Sequence, residues 1–390
     1  MFYNWGMDAI VRLKALTEQM SLEPDAEHSL NAASPDKTGN YPAEVFVHPA
    51  ILPNGQKIKL LKTLLSSACE RDCYYCPFRA GRDMSRATFQ PEEFARLFAM
   101  LASKGIAEGV FLSSGIVGGG VRTEDKLIDT AEILRHKLGF TGYLHLKLMP
   151  GSERAQVERA MQLADRVSVN LEAPNTERLA SLAPHKQFTE ELLQPLKWID
   201  EIRRTQPAYL GWKGHWPSSV TQFVAGGSGE SDLELLSATQ YLYSHLGLKR
   251  AYFSRFNPIP DTPFANQPPT PPIRAHRLYQ ASFLLRDYGF DVEELPFEAD
   301  GKLPFQSDPK LAWARQNLVE QPVEINHANR HMLLRVPGIG LKGAEVILAA
   351  RRHSRISSLT SLRKMGILTE KAAPFLLLDG RRASYQPVLF

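Results

Sequence analysis

The sequence predicts an α/β fold, a partial and open (β/α)6 barrel, followed by a small all-α domain at the C-terminus. Strand-like and helix-like segments alternate six times between residues 57 and 289. Such alternation is typical of a parallel sheet covered by helices. From residue 326 to residue 380 only short helical segments follow, which indicates a separate helical unit.

Six strands are predicted, at residues 58–65, 108–114, 142–149, 165–172, 219–225 and 250–256. Helical patterns follow them, for example at 91–105 and 123–139. Pro91 suits a first helical position, and Ser231 with Glu234 forms a capping box. Six strand–helix units are fewer than the eight of a closed barrel, and the chemistry of such sheets lies at the C-terminal ends of the strands.

The predicted domains are an N-terminal extension (1–42), the barrel (43–290), a linker (291–324) and the C-terminal domain (325–390). Residues 258–272 hold seven prolines and are predicted to form a loop. Because no apolar run approaches the ~20 residues of a membrane helix and no signal peptide is recognisable, we expect a cytoplasmic protein without membrane contact.

The charge is unevenly distributed along the chain. Residues 325–390 contain 11 Lys or Arg against 3 Asp or Glu, a net charge of +8, whereas residues 1–324 carry 35 against 39, or −4. A basic terminal domain on a mildly acidic body suggests a polyanion as partner. A merely solvated basic surface is the alternative that charge alone leaves open.

All three cysteines of the chain, Cys69, Cys73 and Cys76, lie within eight residues directly after the first predicted strand. An odd number of cysteines argues for metal binding or catalysis rather than disulfides. Three thiolates on one loop can hold three irons of a cubic cluster and leave the fourth iron open. A zinc site with a distant fourth ligand and three unligated cysteines are the alternatives.

This spacing, three residues and then two, and its place after the first strand resemble the radical S-adenosylmethionine (SAM) superfamily. The resemblance implies a 4Fe–4S cluster on Cys69, Cys73 and Cys76, with SAM bound at the open iron. It also implies that Tyr75 lies against the adenine of SAM, and that an electron donor such as flavodoxin or ferredoxin is a partner.

Alternation along residues 165–172 places Ser168, Asn170 and Glu172 on one face of the strand. The opposite, apolar face must meet the helices, so the polar face should line the barrel interior. By the same logic Tyr143, His145 and Lys147 point inward. Asn170 and Glu172 match the fourth-strand positions that hold the ribose or amino group of SAM in similar enzymes; a hydrogen-bond network without a ligand is the alternative.

After the second strand stand Ser113, Ser114 and Gly115, where many radical SAM enzymes have Gly-Gly-Glu. The sequence departs from that pattern, and we expect these three residues to contact the methionine part of SAM in its place. The glycines at 118–120 and 226–227 are either a substrate-side loop and a close approach to SAM, or simple turns.

Residues 332–352 resemble the helix-hairpin-helix family, with a Gly-Ile-Gly hairpin at 338–340. The resemblance implies nucleic-acid binding through Gly338, Gly340, Lys342 and Gly343, because backbone N–H groups at the start of a helix can approach a phosphate closely. Residues 356–374 hold a degenerate second copy with a single turn glycine. Docking to a protein is the alternative role of this region.

Nearly the whole chain resembles a family of radical SAM proteins assigned to DNA modification or repair, including FLSSGI (111–116), NLEAP (170–174), LAPHK (182–186) and AHRLYQASFLLRDYGF (275–290). The resemblance implies duplex DNA and a uracil-DNA-glycosylase-like protein as partners, with hydrogen abstraction as the chemistry. Because the triad uses every cysteine, a second cysteine-bound cluster is excluded. Action on RNA or a small molecule, and a non-catalytic Fe–S protein that binds nucleic acid, are the alternatives.

Overall fold

The computed structural model describes residues 3–20, 47–52 and 55–382. Most of the predicted N-terminal extension (1–42) lies outside these ranges. The chain divides into two compact units, one formed by residues 1–230 and 241–272, the other by residues 231–240 and 273–390. No helix within the described ranges has the length and apolar character needed to cross a bilayer.

The described part of the first unit contains one sheet of seven strands, ordered in space as they are in the chain. The strands are β1 (Val47–Ile51), β2 (Lys57–Leu64), β3 (Gly109–Ser113), β4 (Tyr143–Lys147), β5 (Arg166–Ser168), β6 (Ser218–Ala225) and β7 (Arg250–Arg255). The helices in chain order are α1 (Tyr3–Met20), α2 (Pro91–Ser103), α3 (Gly120–Glu132), α4 (Arg154–Leu163), α5 (Thr176–Leu182), α6 (Gln194–Thr205), α7 (Asp232–His245) and α8 (Pro272–Asp287).

The six strands β2 to β7 pair in parallel, which confirms the predicted partial (β/α)6 barrel. An additional strand that was not predicted, β1, lies at the edge of the sheet, antiparallel to β2. Pro49 pairs with Lys59 in this strand. Because proline has no N–H for a ladder, its presence fits an edge strand.

The helix-facing side of the sheet forms a continuous apolar layer. Leu112, Leu146 and Val167 lie side by side across β3, β4 and β5, and each is fully buried. Side chains alternate faces along a strand. The intervening residues of the same strands therefore face the lumen of the barrel, where the polar groups are collected.

The second unit is mainly helical. It contains the first part of α7 (residues 232–240) and α8 from residue 273 onward. It also contains α9 (Pro309–Asn317), α10 (Arg330–Arg335), α11 (Leu341–Ala350), α12 (Leu359–Lys364) and α13 (Thr369–Ala372). Three short strands, β8 (Val323–Glu324), β9 (Leu376–Leu378) and β10 (Arg381–Arg382), form a small sheet that the sequence analysis does not predict.

The segment predicted as a linker (291–324) contributes to the core of the second unit. Ala314, Leu318 and Val323 of this segment are buried together with Leu333 and Ile347 of the helices that follow. The weak apolar pattern of the segment gave no sign of this burial, because only a few of its residues face the core.

Candidate active site

The cysteine-bearing loop is held in place by backbone contacts and by one arginine. It leaves β2, where the N–H of Leu65 donates to the carbonyl oxygen of Ser113 at 2.8 Å. The guanidinium of Arg86 donates to the carbonyl oxygens of Ser67 (2.6 Å) and Phe78 (2.8 Å). Arg86 thus ties together both sides of a loop that has little regular structure of its own.

Cys69, Cys73 and Cys76 line one cavity of about 880 Å³ at the C-terminal end of the sheet, and none of them forms a disulfide. Two of the sulfur atoms accept backbone hydrogen bonds, Cys69 from Ile116 and Cys76 from Phe78, both at 3.4 Å. Hydrogen bonds to the sulfurs are one of the ways in which proteins tune iron–sulfur clusters.

The donor set fits a cluster held by three thiolates. Cys73 is 5% exposed, and burial raises the pKa of its thiol, whereas Lys186 acts in the opposite direction. Within the described ranges, no group of three or more His, Cys, Asp or Glu side chains converges as ligands of one metal ion. A cube of four irons spreads its ligands farther apart than a single ion does.

The polar groups predicted on the fourth barrel strand reach the same cavity. Asn170 and Glu172 both line it, although β5 ends at Ser168. The strand stops early because the hydroxyl of Thr221 donates to the carbonyl oxygen of Val169 (2.6 Å) and accepts from the N–H of Leu171 (3.1 Å). A side chain therefore takes the place of backbone partners in the ladder.

Glu172 has a backbone φ of 64°, which is uncommon for a residue with a side chain. The conformation is held by the backbone, because its N–H donates to Gln222 (3.0 Å) and its carbonyl oxygen accepts from Val224 (2.7 Å). Strained backbone of this kind is concentrated at functional sites. Here it carries the Glu172 carboxylate to the cavity.

The Glu172 carboxylate lies in a buried network with Lys186 and Tyr75. The ammonium of Lys186 is 3.2 Å from a carboxylate oxygen of Glu172 and 3.5 Å from the hydroxyl of Tyr75. Burial acts to raise the pKa of Glu172, but Lys186, Lys147 and the hydrogen bonds from Tyr75 and Lys186 lower it more, so this pKa lies below its ordinary value. The carboxylate is therefore ionised in the neutral pH range.

Sequence reasoning missed Lys186, which follows Glu172 by 14 residues in an irregular segment. The one signal in the sequence is the LAPHK segment (182–186), which by itself assigns no role to its lysine. The structure fastens this segment to the cysteine loop. Arg71 donates to the carbonyl oxygen of His185 at 2.5 Å, and the N–H of Tyr74 donates to the carbonyl oxygen of Leu182 at 3.0 Å.

Of the three residues in place of Gly-Gly-Glu, Ser114 and Gly115 line the cavity, whereas Ser113 is buried and is not among the lining residues. A Cβ on Gly115 would stand 2.1 Å from the carbonyl oxygen of Ala68. Glycine is therefore required at 115 for packing against the cysteine loop. The glycine run at 118–120 also meets this loop, since Glu70 accepts from the N–H groups of Gly118 and Gly119.

The four C-terminal residues predicted to bind nucleic acid differ in their surroundings. A Cβ on Gly338 would stand 2.5 Å from the carbonyl oxygen of Leu368, and one on Gly343 would stand 2.6 Å from the Ile367 side chain. Gly338 therefore serves close packing against the backbone, whereas at 343 the end of the flexible Ile367 side chain would have to shift. Gly340 has no atom nearer than 3.6 Å to an added Cβ, and Lys342 is exposed.

Residues 63–236 match the family model described as Radical SAM superfamily. The chain therefore contains a radical SAM domain, and the enzymes of this superfamily use a 4Fe–4S cluster and SAM. For residues 63–236 this match confirms the predicted radical SAM domain and the two cofactors that such domains use. The comparison with curated proteins finds no match.

Three solved structures illustrate the structural likenesses. Methylornithine synthase has 13% identity and a TM-score of 0.45, covering 58% of this chain and 61% of that one. The FeFe-hydrogenase maturase HydG from Carboxydothermus hydrogenoformans has 14% sequence identity and a TM-score of 0.44, and the match covers 58% of this chain and 51% of that one. A radical SAM methyltransferase from Sphaerobacter thermophilus has 16% sequence identity and a TM-score of 0.43, and the match covers 61% of this chain and 74% of that one. This chain thus spans between half and two thirds of the length of the first two.

We expect Asn170→Ala and Glu172→Gln to weaken SAM binding while the iron content stays unchanged. A hydrogen bond to a ligand contributes about 0.5–1.5 kcal/mol, so the Kd for SAM should rise from a few-fold to about tenfold. Glu172→Gln is preferred to Ala because the amide oxygen of Gln can still accept a hydrogen bond from the buried Lys186 ammonium, whereas Ala has no acceptor. Equilibrium dialysis with labelled SAM measures the Kd.

Asn317→Ala, an exposed position on α9, is the matched control for Asn170→Ala. It should leave both the Kd for SAM and the iron content as in the wild type. Wild-type affinity in both Asn170→Ala and Glu172→Gln would mean that SAM binds elsewhere.

Proposed function

We propose that this protein is a radical SAM enzyme that modifies or repairs DNA. It cleaves SAM reductively and abstracts a hydrogen atom from a base, a sugar or a lesion. Residues 325–390 act as a helix-hairpin-helix module that binds the duplex. The observation that carries the DNA part is the glycine-bounded turn before α11, which presents an open helix start next to an exposed lysine.

The start of α11 has the properties of a phosphate-binding site. Gly340 is its N-cap residue, and the N–H groups of the first helical turn have no partners inside the helix. Such N–H groups and the positive end of the helix favour an anion, and Lys342 in the same turn adds a positive charge. Contacts of this kind bind the DNA backbone without reading sequence.

The first cavity supports the chemistry. When bound, the cluster supplies the electron for the reductive cleavage of SAM. Cys69, Cys73 and Cys76 would hold the cluster, and Asn170 and Glu172 would bind the ribose or amino group of SAM. Lys186 orients the Glu172 carboxylate and compensates its charge. Apolar walls keep water from the reacting atoms; Phe78, Ile116, Met149 and Val224 contribute to them.

The proposal predicts that the 5′-deoxyadenosine formed from SAM carries a hydrogen atom taken from DNA. Anaerobic, reduced holoenzyme is incubated with SAM and perdeuterated duplex DNA, and the deuterium in 5′-deoxyadenosine is measured by mass spectrometry. We expect deuterium transfer with the duplex and none with deuterated RNA of the same sequence. SAM cleavage without transfer from DNA would contradict the DNA substrate while leaving the radical SAM chemistry intact.

The proposal also includes two partner proteins and a location in the cell. An electron donor such as flavodoxin or ferredoxin would reduce the cluster, and a uracil-DNA-glycosylase-like protein would act with the enzyme in the cytoplasm. If deuterium came from RNA or from a small molecule instead, the basic module would be a docking element. If SAM stayed intact, the protein would be a non-catalytic Fe–S protein.

A further inference from the structure

A second cavity, of about 670 Å³, lies in the barrel lumen toward the beginnings of the strands, at the end opposite to the cysteine loop. Ala50 and Ile51 of β1 contribute one wall. The cavity shares Asn170 and Gln222 with the first one, so the two compartments adjoin. Apart from Asn170, it is lined by none of the residues that we assign to the cluster or to SAM.

One row of lumen-facing residues makes this cavity positively charged and aromatic. Lys62, Phe111, His145 and Arg166 are register partners on β2, β3, β4 and β5, so they lie side by side across four strands. Neighbouring strands are about 4.8 Å apart. Two cations therefore flank two rings, and the rings of Phe111 and His145 have centroids 4.6 Å apart. Among the described residues that line the cavity there is no Asp or Glu.

His145 carries an unsatisfied polar atom at this cavity. Its Nε2 is buried without a hydrogen-bond partner. Burial lowers the pKa of His145 well below its ordinary value, and the positive charges of Arg166, Lys62 and Lys147 lower it further. A buried polar atom without a partner is costly, and in a native protein it commonly marks the place of a ligand or water.

Arg166 has N–H groups that can donate hydrogen bonds to a ligand. Its Nε–H donates to the hydroxyl of Ser218 at 3.1 Å, which fixes the guanidinium and leaves its terminal amino groups to other acceptors. Arginine presents its N–H groups in a planar fork that matches phosphate oxygens. Arg166 and His145 are direct register partners, so both can reach one anion.

The remaining walls suit a nucleobase. The aromatic rings of Tyr143 and Tyr252 and the amide groups of Asn170 and Gln222 line the same cavity. Bases bind to proteins by stacking on aromatic side chains and by hydrogen bonds to amides.

We infer that the second cavity is a binding site for a 5′-phosphorylated nucleoside. Arg166 and His145 bind the phosphate, Lys62 adds positive charge, and the tyrosines and the Gln222 amide hold the base, while Asn170 serves SAM. The ligand is either a free nucleotide or a nucleotide extruded from a DNA strand. This site is additional to the cluster and SAM site, and it does not depend on the proposed reaction.

The test is equilibrium dialysis of full-length, cluster-loaded protein saturated with SAM, so that the first cavity is filled. The probes are thymidine 5′-monophosphate, thymidine and inorganic phosphate. We expect the monophosphate to bind most tightly. Arg166→Gln and His145→Phe should each weaken its binding about tenfold, because each removes a hydrogen bond to a charged group.

The controls are Arg96→Gln and His136→Phe, the same exchanges at exposed positions, which should bind the monophosphate like the wild type. Unchanged SAM affinity and iron content in all variants show that the barrel is folded. Competition by a short DNA strand identifies an extruded nucleotide as the ligand, and its absence identifies a free nucleotide. Failure of the wild type to bind the monophosphate, or wild-type affinity in both cavity variants, would overturn the inference.

Discussion

Replacing Cys69, Cys73 or Cys76 singly by Ala is expected to abolish both cluster binding and SAM cleavage. The three sulfurs line one cavity, and two of them are fixed by backbone N–H groups at 3.4 Å. After such a replacement, only two thiolates can hold the cluster. The arrangement that leaves a single iron open is then lost. Wild-type protein reconstituted anaerobically should bind about four irons per chain.

Iron analysis, the absorption of the cluster and the yield of 5′-deoxyadenosine measure this effect. Tyr74→Phe is the control, because it changes the same loop while keeping the ring that packs at 5.3 Å against Phe264. It should retain both iron and SAM cleavage. Wild-type protein that binds one zinc and leaves SAM intact would contradict the cluster assignment.

The strands of the barrel were predictable because their signal is local. Apolar residues on the helix-facing side, such as Leu112, Leu146 and Val167, alternate with polar ones. Every end of the six strands lies within four residues of its predicted position. The early end of β5 was not predictable. It depends on the hydroxyl of Thr221, which lies on another strand and replaces ladder partners.

The candidate site likewise contains residues that the sequence could predict and one that it could not. The cysteine triad is a local spacing, and the lumen-facing position of Asn170 and Glu172 follows from alternation along one strand. Lys186 reaches Glu172 only because an irregular segment folds back onto the cysteine loop. Distance along the chain says nothing about such a contact, so sequence reasoning had no means of finding it.

The C-terminal glycines show that a sequence does not reveal why a glycine is needed at a position. Glycine was expected at 338 and 343 for access to phosphate, but at both positions an added Cβ would meet the chain itself within 2.6 Å. A sequence shows that a glycine is present, not which neighbour requires it. Only Gly340, with its open surroundings, can report on a bound phosphate without disturbing the fold.

Gly340→Leu is therefore expected to weaken duplex DNA binding by about tenfold or more, with an intermediate effect for Gly340→Ala. A side chain at the N-cap of α11 stands in front of the free N–H groups that the phosphate would contact, and no protein atom lies within 3.6 Å of an added Cβ. Lys342→Ala should act more mildly, weakening binding alike on unrelated sequences and lowering the salt slope by about one unit.

Anisotropy titrations of the full-length holoenzyme against two unrelated duplexes at two salt concentrations measure both effects. Truncation near residue 320 is unsuitable, because it would cut through the core that contains Ala314, Leu318 and Val323. Lys104→Ala, at an exposed position in the first unit, is the control for Lys342→Ala. SAM cleavage without DNA should persist in every variant, since the cysteines and the first cavity are untouched. Wild-type DNA affinity in Gly340→Leu would remove the start of α11 from the DNA interface and favour docking to a protein as the role of this module.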